Sequence, residues 1–342
     1  MDDCVAGVER MITIGIESSA HTFGVGIVEN GRIIANSKSM YPISDKGIIP
    51  MKVADFHQKN SARVISEAMQ QAGIGLEDID AIGYTKGPGI GPCLRVGQLA
   101  ALVLARRTGK PIYPVNHAVA HIEITKHIYG LGDPLALYVS GGNSQILALE
   151  AEPYPHYHVL GETFDIGVGN MLDSFARAAG LNPAWGSSVA KLAEGGRYVR
   201  MPYTVKGMDF TFTGLLTSAI RMLPMHRKED VAFSLQETAF SMLCEAAERA
   251  LLLSGKKELI VCGGVAQSKR LADMLQLMAK AHGRKFYVAP NEFNSDNGAM
   301  IAIIAWKMHS AGGKVPRGSI SISQRYRAQN FRLVWIKQKR RT

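Results

Sequence analysis

Ile12-Thr13-Ile14-Gly15-Ile16-Glu17-Ser18-Ser19-Ala20-His21-Thr22-Phe23-Gly24-Val25-Gly26-Ile27-Val28-Glu29 is the stretch from which the fold is read. Ile12 to Glu17 is apolar and β-branched, Ser18 to Thr22 is a tight polar turn, and Phe23 to Glu29 is a second strand. Asn30-Gly31 then turns the chain into a third strand, Arg32 to Ser37. The layout restarts downstream. Leu135 to Val139 is a strand, Ser140-Gly141-Gly142-Asn143-Ser144 a turn of small residues, and Gln145 to Glu150 the returning strand. The letters differ but the layout repeats, which predicts an internal duplication. Small residues between two strands leave backbone N–H groups open to a phosphate. Most such turns are only turns, so the feature is weak alone.

Strands and helices alternate around both hairpins. Helical spacing runs from Val53 to Ala72, a strand from Ile79 to Tyr84, and a helix from Leu94 to Arg106. Lys86-Gly87-Pro88-Gly89-Ile90-Gly91-Pro92-Cys93 leads into that helix, where an N-terminus can hold an anion. Its prolines exclude the dinucleotide GxGxxG pattern, and no GxxxxGK[ST] loop occurs. Pro111 to Val115 is a further strand. After the restart, helices are expected over Asp165–Ala179, Lys228–Leu253 and Ser268–Ala281, with strands at Glu258–Cys262 and Lys285–Ala289. Asn182 to Ser188 reads as a loop, Phe210 to Thr213 as a short Thr/Phe run, and Asn294–Gly298 as the cap of a helix reaching about His309. This predicts an α/β protein of two lobes, 11–133 and 134–312, after a ten-residue N-terminal extension and before a basic tail, 313–342. A nucleotide in the cleft between the lobes is the natural expectation.

Composition narrows the class. The chain has 342 residues, 46% hydrophobic and 20% charged, enough for a substantial core in two lobes. No apolar run approaches the ~20 residues of a membrane span, so no membrane association is expected. Met1 to Arg10 lacks the apolar stretch of a signal peptide. Cys4, Cys93, Cys244 and Cys262 form no CxxC pair, which argues against a cysteine zinc site and fits a reducing, cytoplasmic setting. The net charge of +10 is concentrated at the C-terminus: Arg317, Arg325, Arg327, Arg332, Lys337, Lys339, Arg340 and Arg341 occur with no acid after Pro316. Without those eight, 31 basic residues stand against 29 acids. Such a tail attracts a phosphate backbone, or is simply solvated.

Asn116-His117-Ala118-Val119-Ala120-His121-Ile122-Glu123 carries the chemistry. Two histidines four apart fall on one helix face and suit a shared metal ion. Ala118 stands where HExxH proteases have their glutamate. Two surface histidines on an amphipathic helix would show the same spacing.

Seven motifs in order resemble one family. They are Gly15–Thr22, Gly87–Gly97, Asn116–Glu123, Tyr138–Gln145, Asp165–Asn170, Val261–Ala266 and Asp296–Ala302. Together, from about Met11 to Trp335, they resemble the TsaD/Gcp family. Ala20-His21-Thr22 and Tyr203–Asp209 look like its archaeal and eukaryotic branch, the kinase-associated, endopeptidase-named subunit of the KEOPS complex. The resemblance implies an actin-like ATPase fold of two duplicated lobes. It implies transfer of threonylcarbamoyl from threonylcarbamoyl-AMP to the exocyclic amine of the adenosine 3′ of the anticodon, in tRNAs reading codons that begin with A. The implied partners are tRNA, a small atypical protein kinase, a small dimerising subunit and a kinase-regulating subunit.

By the same resemblance, His117, His121, Tyr138 and Asp296 are expected to hold one divalent ion, iron or zinc. The expected contacts to an ATP- or AMP-type nucleotide, with or without magnesium, are Tyr138, Val139, Ser140, Gly141, Gly142, Asp173, Gly186, Gly263 and Gly264, with Ala190 and Gln267 at family positions. Three departures stand out. Pro183-Ala184-Trp185-Gly186-Ser187 replaces a Pro-Gly-Gly-Pro run, Ala190 replaces a glutamate expected on the ribose hydroxyls, and Gln267 replaces an asparagine. No Ser/His/Asp or Cys/His arrangement offers a dedicated general base. Two other readings fit the same fold: a small-molecule kinase and a non-catalytic, nucleotide-binding scaffold.

Overall fold

The computed structural model describes residues 10–42, 48–313 and 320–337. Cys4, the N-terminal extension before Arg10, and Arg317, Lys339, Arg340 and Arg341 of the expected tail lie outside the described residues.

The chain opens with β1 (Ile12–Glu17), β2 (Thr22–Glu29) and β3 (Arg32–Met40). Then come α1 (Pro50–Ala72), β4 (Ala81–Gly87), α2 (Gly91–Thr108), β5 (Ile112–Asn116) and α3 (His117–Tyr129). The second half brings β6 (Leu135–Val139), β7 (Ser144–Glu150), β8 (His156–Glu162), α4 (Val168–Ala178) and α5 (Gly186–Leu192). A two-stranded ribbon of β9 (Val205–Lys206) and β10 (Asp209–Phe210) leads to α6 (Thr213–Met222) and α7 (Lys228–Ser254). The chain continues through β11 (Glu258–Cys262), a 3₁₀ turn at Gly264–Gln267, α8 (Lys269–Ala281), β12 (Lys285–Val288), α9 (Asn291–Asn294) and α10 (Gly298–Ser310).

Two compact units result. One comprises the described residues to Pro42 with Ile49–Ala120 and Asn297–Tyr326; the other is His121–Asp296 with the residues from Arg327 on. The division therefore falls inside α3, at 120/121 rather than near 133, and α10 groups with the first unit rather than the second. The reason is local. α10 packs on β1, β2 and β4, where Gly15, Gly26 and Gly83 leave room for it.

The sheet of the first unit runs β3-β2-β1-β4-β5, with β1–β2–β3 antiparallel and β4 and β5 parallel to β1. The sheet of the second runs β12-β11-β6-β7-β8, with β6–β7–β8 antiparallel and β11 and β12 parallel to β6. These are the same order and the same senses, so the expected duplication holds at the level of topology.

Strand alternation sorts the faces. In β1, Ile12, Ile14 and Ile16 join the core formed with Val64 and Ala68 of α1 and Ala101 and Leu104 of α2. Gly15 faces the other way, onto α10. In β6, Leu135, Leu137 and Val139 enter the core of the second unit with Phe175 of α4 and Leu235, Leu243 and Leu251 of α7.

The structure corrects the expected elements in several places. β8 was not expected at all. Residues 186–192 form α5 where a loop over Asn182–Ser188 was expected. The Phe210–Thr213 run is split between the end of β10 and the start of α6. Cys93, Cys244 and Cys262 are free thiols. No helix among the described residues is long and apolar enough to cross a membrane.

Candidate metal and nucleotide site

Within each unit, candidate residues stand at the carboxyl ends of strands, Glu17 and Asn116 in the first and Tyr138 near the end of β6 in the second, where open α/β sheets take their ligands. Asn116 ends β5 and caps α3: its Oδ1 accepts from the Val119 N–H at 3.1 Å, and its Nδ2 donates to the Tyr326 carbonyl at 2.9 Å. The cap starts α3 at His117, so the two histidines stand one turn apart on that helix.

In the first unit His117 is buried, with Nδ1 3.0 Å from Oε2 of Glu17. Glu17 ends β1 and is wholly buried. Its Oε1 accepts from the Ser19 N–H at 2.6 Å, and its Oε2 from the Thr85 hydroxyl at 2.7 Å. A carboxylate on Nδ1 keeps the proton there and leaves the Nε2 lone pair available, the arrangement that orients metal-binding imidazoles. Sequence reasoning missed Glu17 and Thr85 in this role. The available signal was a glutamate closing an otherwise apolar strand, but its partner lies 100 residues away.

In the second unit His121 is buried, with Nε2 3.3 Å from Oδ1 of Asp296. Its ring lies 5.6 Å from that of the buried Tyr138 at an interplanar angle of 32°. His121, Tyr138 and Asp296 are thus brought together from α3, β6 and the residue before the α10 cap. That cap is Asn297, whose Oδ1 accepts from the Met300 N–H at 3.0 Å, so Asp296 is not the N-cap. Within the second unit, an imidazole with carboxylate and phenol oxygens is a donor set suited to iron or zinc, and His121, Asp296 and Tyr138 fit such an ion.

The expected nucleotide contacts form two groups within the second unit. The first lies beyond the paired ends of β6 and β11, where Tyr138 is in register with Cys262. Ser140 N–H donates to the Asn143 carbonyl at 2.8 Å to close the turn. The start of α4 docks on it: Gly169 and Asn170 N–H donate to the Ser140 and Gly141 carbonyls at 3.2 and 3.0 Å. Gly263 has φ 97°, a conformation that favours glycine, and a Cβ there would lie 2.4 Å from the Val139 carbonyl. Gly264 and Gln267 follow in the 3₁₀ turn, where the Gln267 amide donates back to the Gly264 carbonyl at 3.2 Å.

The second group is Asp173 and Gly186. Asp173 Oδ1 accepts from the Gly186 N–H at 2.8 Å, which fixes the entry to α5. Ala190 lies on α5 and offers only a methyl. Trp185 is the residue preceding α5, with no side-chain cap bond.

Two of the expected phosphate-attracting cations have partners within the second unit while staying largely exposed. Arg327 pairs with Glu162, and Arg332 lies 5.9 Å from the Tyr154 ring. A further buried polar cluster was unexpected. Lys126 Nζ lies 2.9 Å from Glu123 and 3.0 Å from the Tyr157 hydroxyl, tying α3 to β8. Burial, then the Glu123 charge, raises the Tyr157 phenol well above its ordinary range.

The TsaD family, described as tRNA N6-adenosine threonylcarbamoyltransferase, matches residues 31–303. A protein of that name from Thermococcus sibiricus is 44% identical over 328 residues, covering 95% of this chain and all of its own length. One from Methanopyrus kandleri is 45% identical over 337 residues, covering 95% and 96%. A probable bifunctional tRNA threonylcarbamoyladenosine biosynthesis protein of Thermoplasma acidophilum is 44% identical, with 95% of this chain on 61% of that one. Among solved structures, Thermococcus kodakarensis HypF matches with a TM-score of 0.58 at 15% identity, over 86% of this chain. This chain spans about half of HypF, 46%. The 2-hydroxyisocaproyl-CoA dehydratase activator from Clostridium difficile matches with a TM-score of 0.52 at 13% identity, over 91% and 99% of the two chains. At such identities the structures speak to fold alone, and the fold is that of the actin-like ATPases.

Proposed function

Because the chain belongs to the TsaD family of tRNA N6-adenosine threonylcarbamoyltransferases, we propose that it takes threonylcarbamoyl from threonylcarbamoyl-AMP to the adenosine 3′ of the anticodon in tRNAs reading codons that begin with A. In this reading it is the catalytic subunit of a KEOPS-type complex, with a small atypical kinase, a small dimerising subunit and a kinase-regulating subunit as partners. The N6 amine attacks the carbamoyl carbon, a C–N bond forms, the carbamoyl C–O bond to the phosphate breaks, and AMP leaves together with the one proton the amine gives up. The acceptor base lies in a single-stranded loop, so it reaches a site without duplex melting.

The observation that carries the reading is the buried His121–Asp296 pair beside Tyr138, one helical turn from a His117 already oriented by Glu17. His117, His121, Tyr138 and Asp296 would hold one divalent ion, iron or zinc. Such an ion supplies a Lewis acid for the acyl carbonyl.

The chain's own residues do the remaining work. Glu17 and Thr85 hold the His117 tautomer. The glycines at the ends of β6 and β11 let backbone approach the AMP moiety closely, and Asp173 shapes the α5 entry through Gly186. Ala190 supplies no acceptor for the ribose hydroxyls, so nucleotide recognition rests on backbone more than on side chains. Arg327 and Arg332 are exposed and add to the charge that meets the RNA, and partner subunits supply the rest.

The test is reconstitution with archaeal partner subunits, threonine, bicarbonate, ATP and tRNA, followed by nucleoside analysis. The wild type forms threonylcarbamoyladenosine and His117→Ala does not. Undiminished modification by His117→Ala would sink the metal-site reading.

A further inference from the structure

A second cluster of metal-competent side chains lies at the far end of the β7–β8 hairpin. Glu150 closes β7 and stands opposite His156, the first residue of β8. His158, two residues on, shares the face of His156. His156 Nε2 and His158 Nδ1 each lie 3.8 Å from Glu150 Oε2, and one donor atom from each of the three falls within 4.8 Å of the others. At that distance the carboxylate is hydrogen-bonded to neither ring. It is close to the ~3.4 Å that separates two ligands of one tetrahedral zinc ion bound at ~2.0–2.1 Å.

The protonation pattern agrees. His156 Nδ1 lies 2.8 Å from the Tyr154 carbonyl oxygen. A carbonyl only accepts, so Nδ1 carries the proton, and the lone pair of the neutral ring sits on Nε2, the nitrogen nearer Glu150. A backbone carbonyl on the second nitrogen is a recurrent support for metal-bound histidine. His156 is 9% exposed and packs against the Tyr154 ring at 5.4 Å. Leu333 N–H donates to the Pro155 carbonyl at 2.8 Å, so the C-terminal segment holds the turn in place. His158 and Glu150 are 46% and 47% exposed, which leaves one side of the cluster facing solvent.

We propose that Glu150, His156 and His158 form a second divalent transition-metal site, with two imidazoles, one carboxylate and one position open to solvent. Two imidazoles select zinc, cobalt or nickel over magnesium and calcium. The site is separate from the first. Tyr138 pairs with Gln145 at the opposite end of β7, and the five residues from there to Glu150 span about 17 Å of strand. A bound ion staples the end of β7 to the start of β8 across residues 151–155.

The test uses the untagged full chain and zinc or cobalt(II) alone. Titration against a chromogenic chelator reads stoichiometry, and cobalt(II) absorption reads four-coordination. His117→Ala/His121→Ala keeps one zinc equivalent, and adding His158→Ala removes it or weakens it at least tenfold. In the otherwise unaltered chain, the exposed His158→Ala alone binds one equivalent fewer than wild type and shows a smaller zinc-induced rise in Tm, and in the His117→Ala/His121→Ala background it abolishes that rise. Glu150→Gln dims the cobalt spectrum. Zinc uptake and Tm unaffected by His158→Ala would overturn the proposal, whatever becomes of the His117 site.

Discussion

The two five-stranded sheets share one strand order, yet they admit helices to very different depths. In the first unit α10 lies backbone against backbone. A Cβ built on Gly15 would fall 2.1 Å from the Ala302 nitrogen, and one on Gly26 would fall 2.1 Å from the Ala299 nitrogen. In the second unit α4 and α7 are held off by whole side chains, Leu137, Val139 and Ile146 against Phe175, Leu235 and Leu243. Duplication kept the topology and released the faces. The first sheet uses glycine only on its α10 face and fills its α1 and α2 face with side-chain volume, as the second does toward α4 and α7.

The two kinds of face should therefore fail in opposite directions when side-chain size changes. Gly26→Ala inserts a methyl into rigid backbone and is expected to cost about 3 kcal/mol or more. Leu137→Ala leaves a cavity and costs roughly 2–5 kcal/mol. Chemical denaturation of both variants checks this, and a harmless Gly26→Ala would break the contrast.

The hairpin turns differ as well. The β1–β2 turn is tied down by buried side chains: Glu17 holds Ser19, Thr85 and His117. The β6–β7 turn is tied by backbone to α4 and leaves Gly142 exposed. The first holds a side chain in place, and the second leaves backbone uncovered. Glu17→Gln keeps the shape but weakens the acceptor for His117, so metal affinity should fall roughly 10–100-fold, read by chelator competition. On the other side, Ala190→Glu restores an acceptor on α5. It should tighten AMP binding about tenfold, the scale of one charge-assisted hydrogen bond, read by calorimetry.

The smallest effect is a pH slope. His57 backs the first turn, donating from Nε2 to the Ala20 carbonyl at 2.8 Å, and burial lowers its pKa from the ordinary 6.5. The unfolded chain then binds the extra proton first. The contribution is present above about 6.5 and is lost as the pH falls toward the lowered folded value. His57→Gln keeps a donor without titrating, so stability should vary less with pH just below 6.5, measured by denaturant midpoints.

The legible part of this molecule is the part written locally. β1, β6 and β11 are short, mostly apolar, buried runs, and the bounds expected for them are the bounds observed. The His117–His121 pair was legible because a helix period is a local signal, and the Asn116 cap sits beside it. β8 was missed because His156, His158 and Glu162 interrupt its apolar pattern, yet it carries the second cluster. α5 was missed because seven residues entered through Pro-Ala-Trp carry no capping side chain. Tyr138 and Asp296 were reached only through family resemblance, and Glu17 not at all as a positioning group. Contacts across 100 residues or more leave no trace in spacing.

The central claim is that threonylcarbamoyl transfer depends on the His121–Asp296 pair. Its most direct test is single-turnover transfer from preformed threonylcarbamoyl-AMP to tRNA by the assembled complex, comparing wild type with His121→Ala. The account predicts a loss of at least about 100-fold with tRNA binding retained, since a ligand matters no less than the groups that orient it. A variant rate within about twofold of wild type would contradict it.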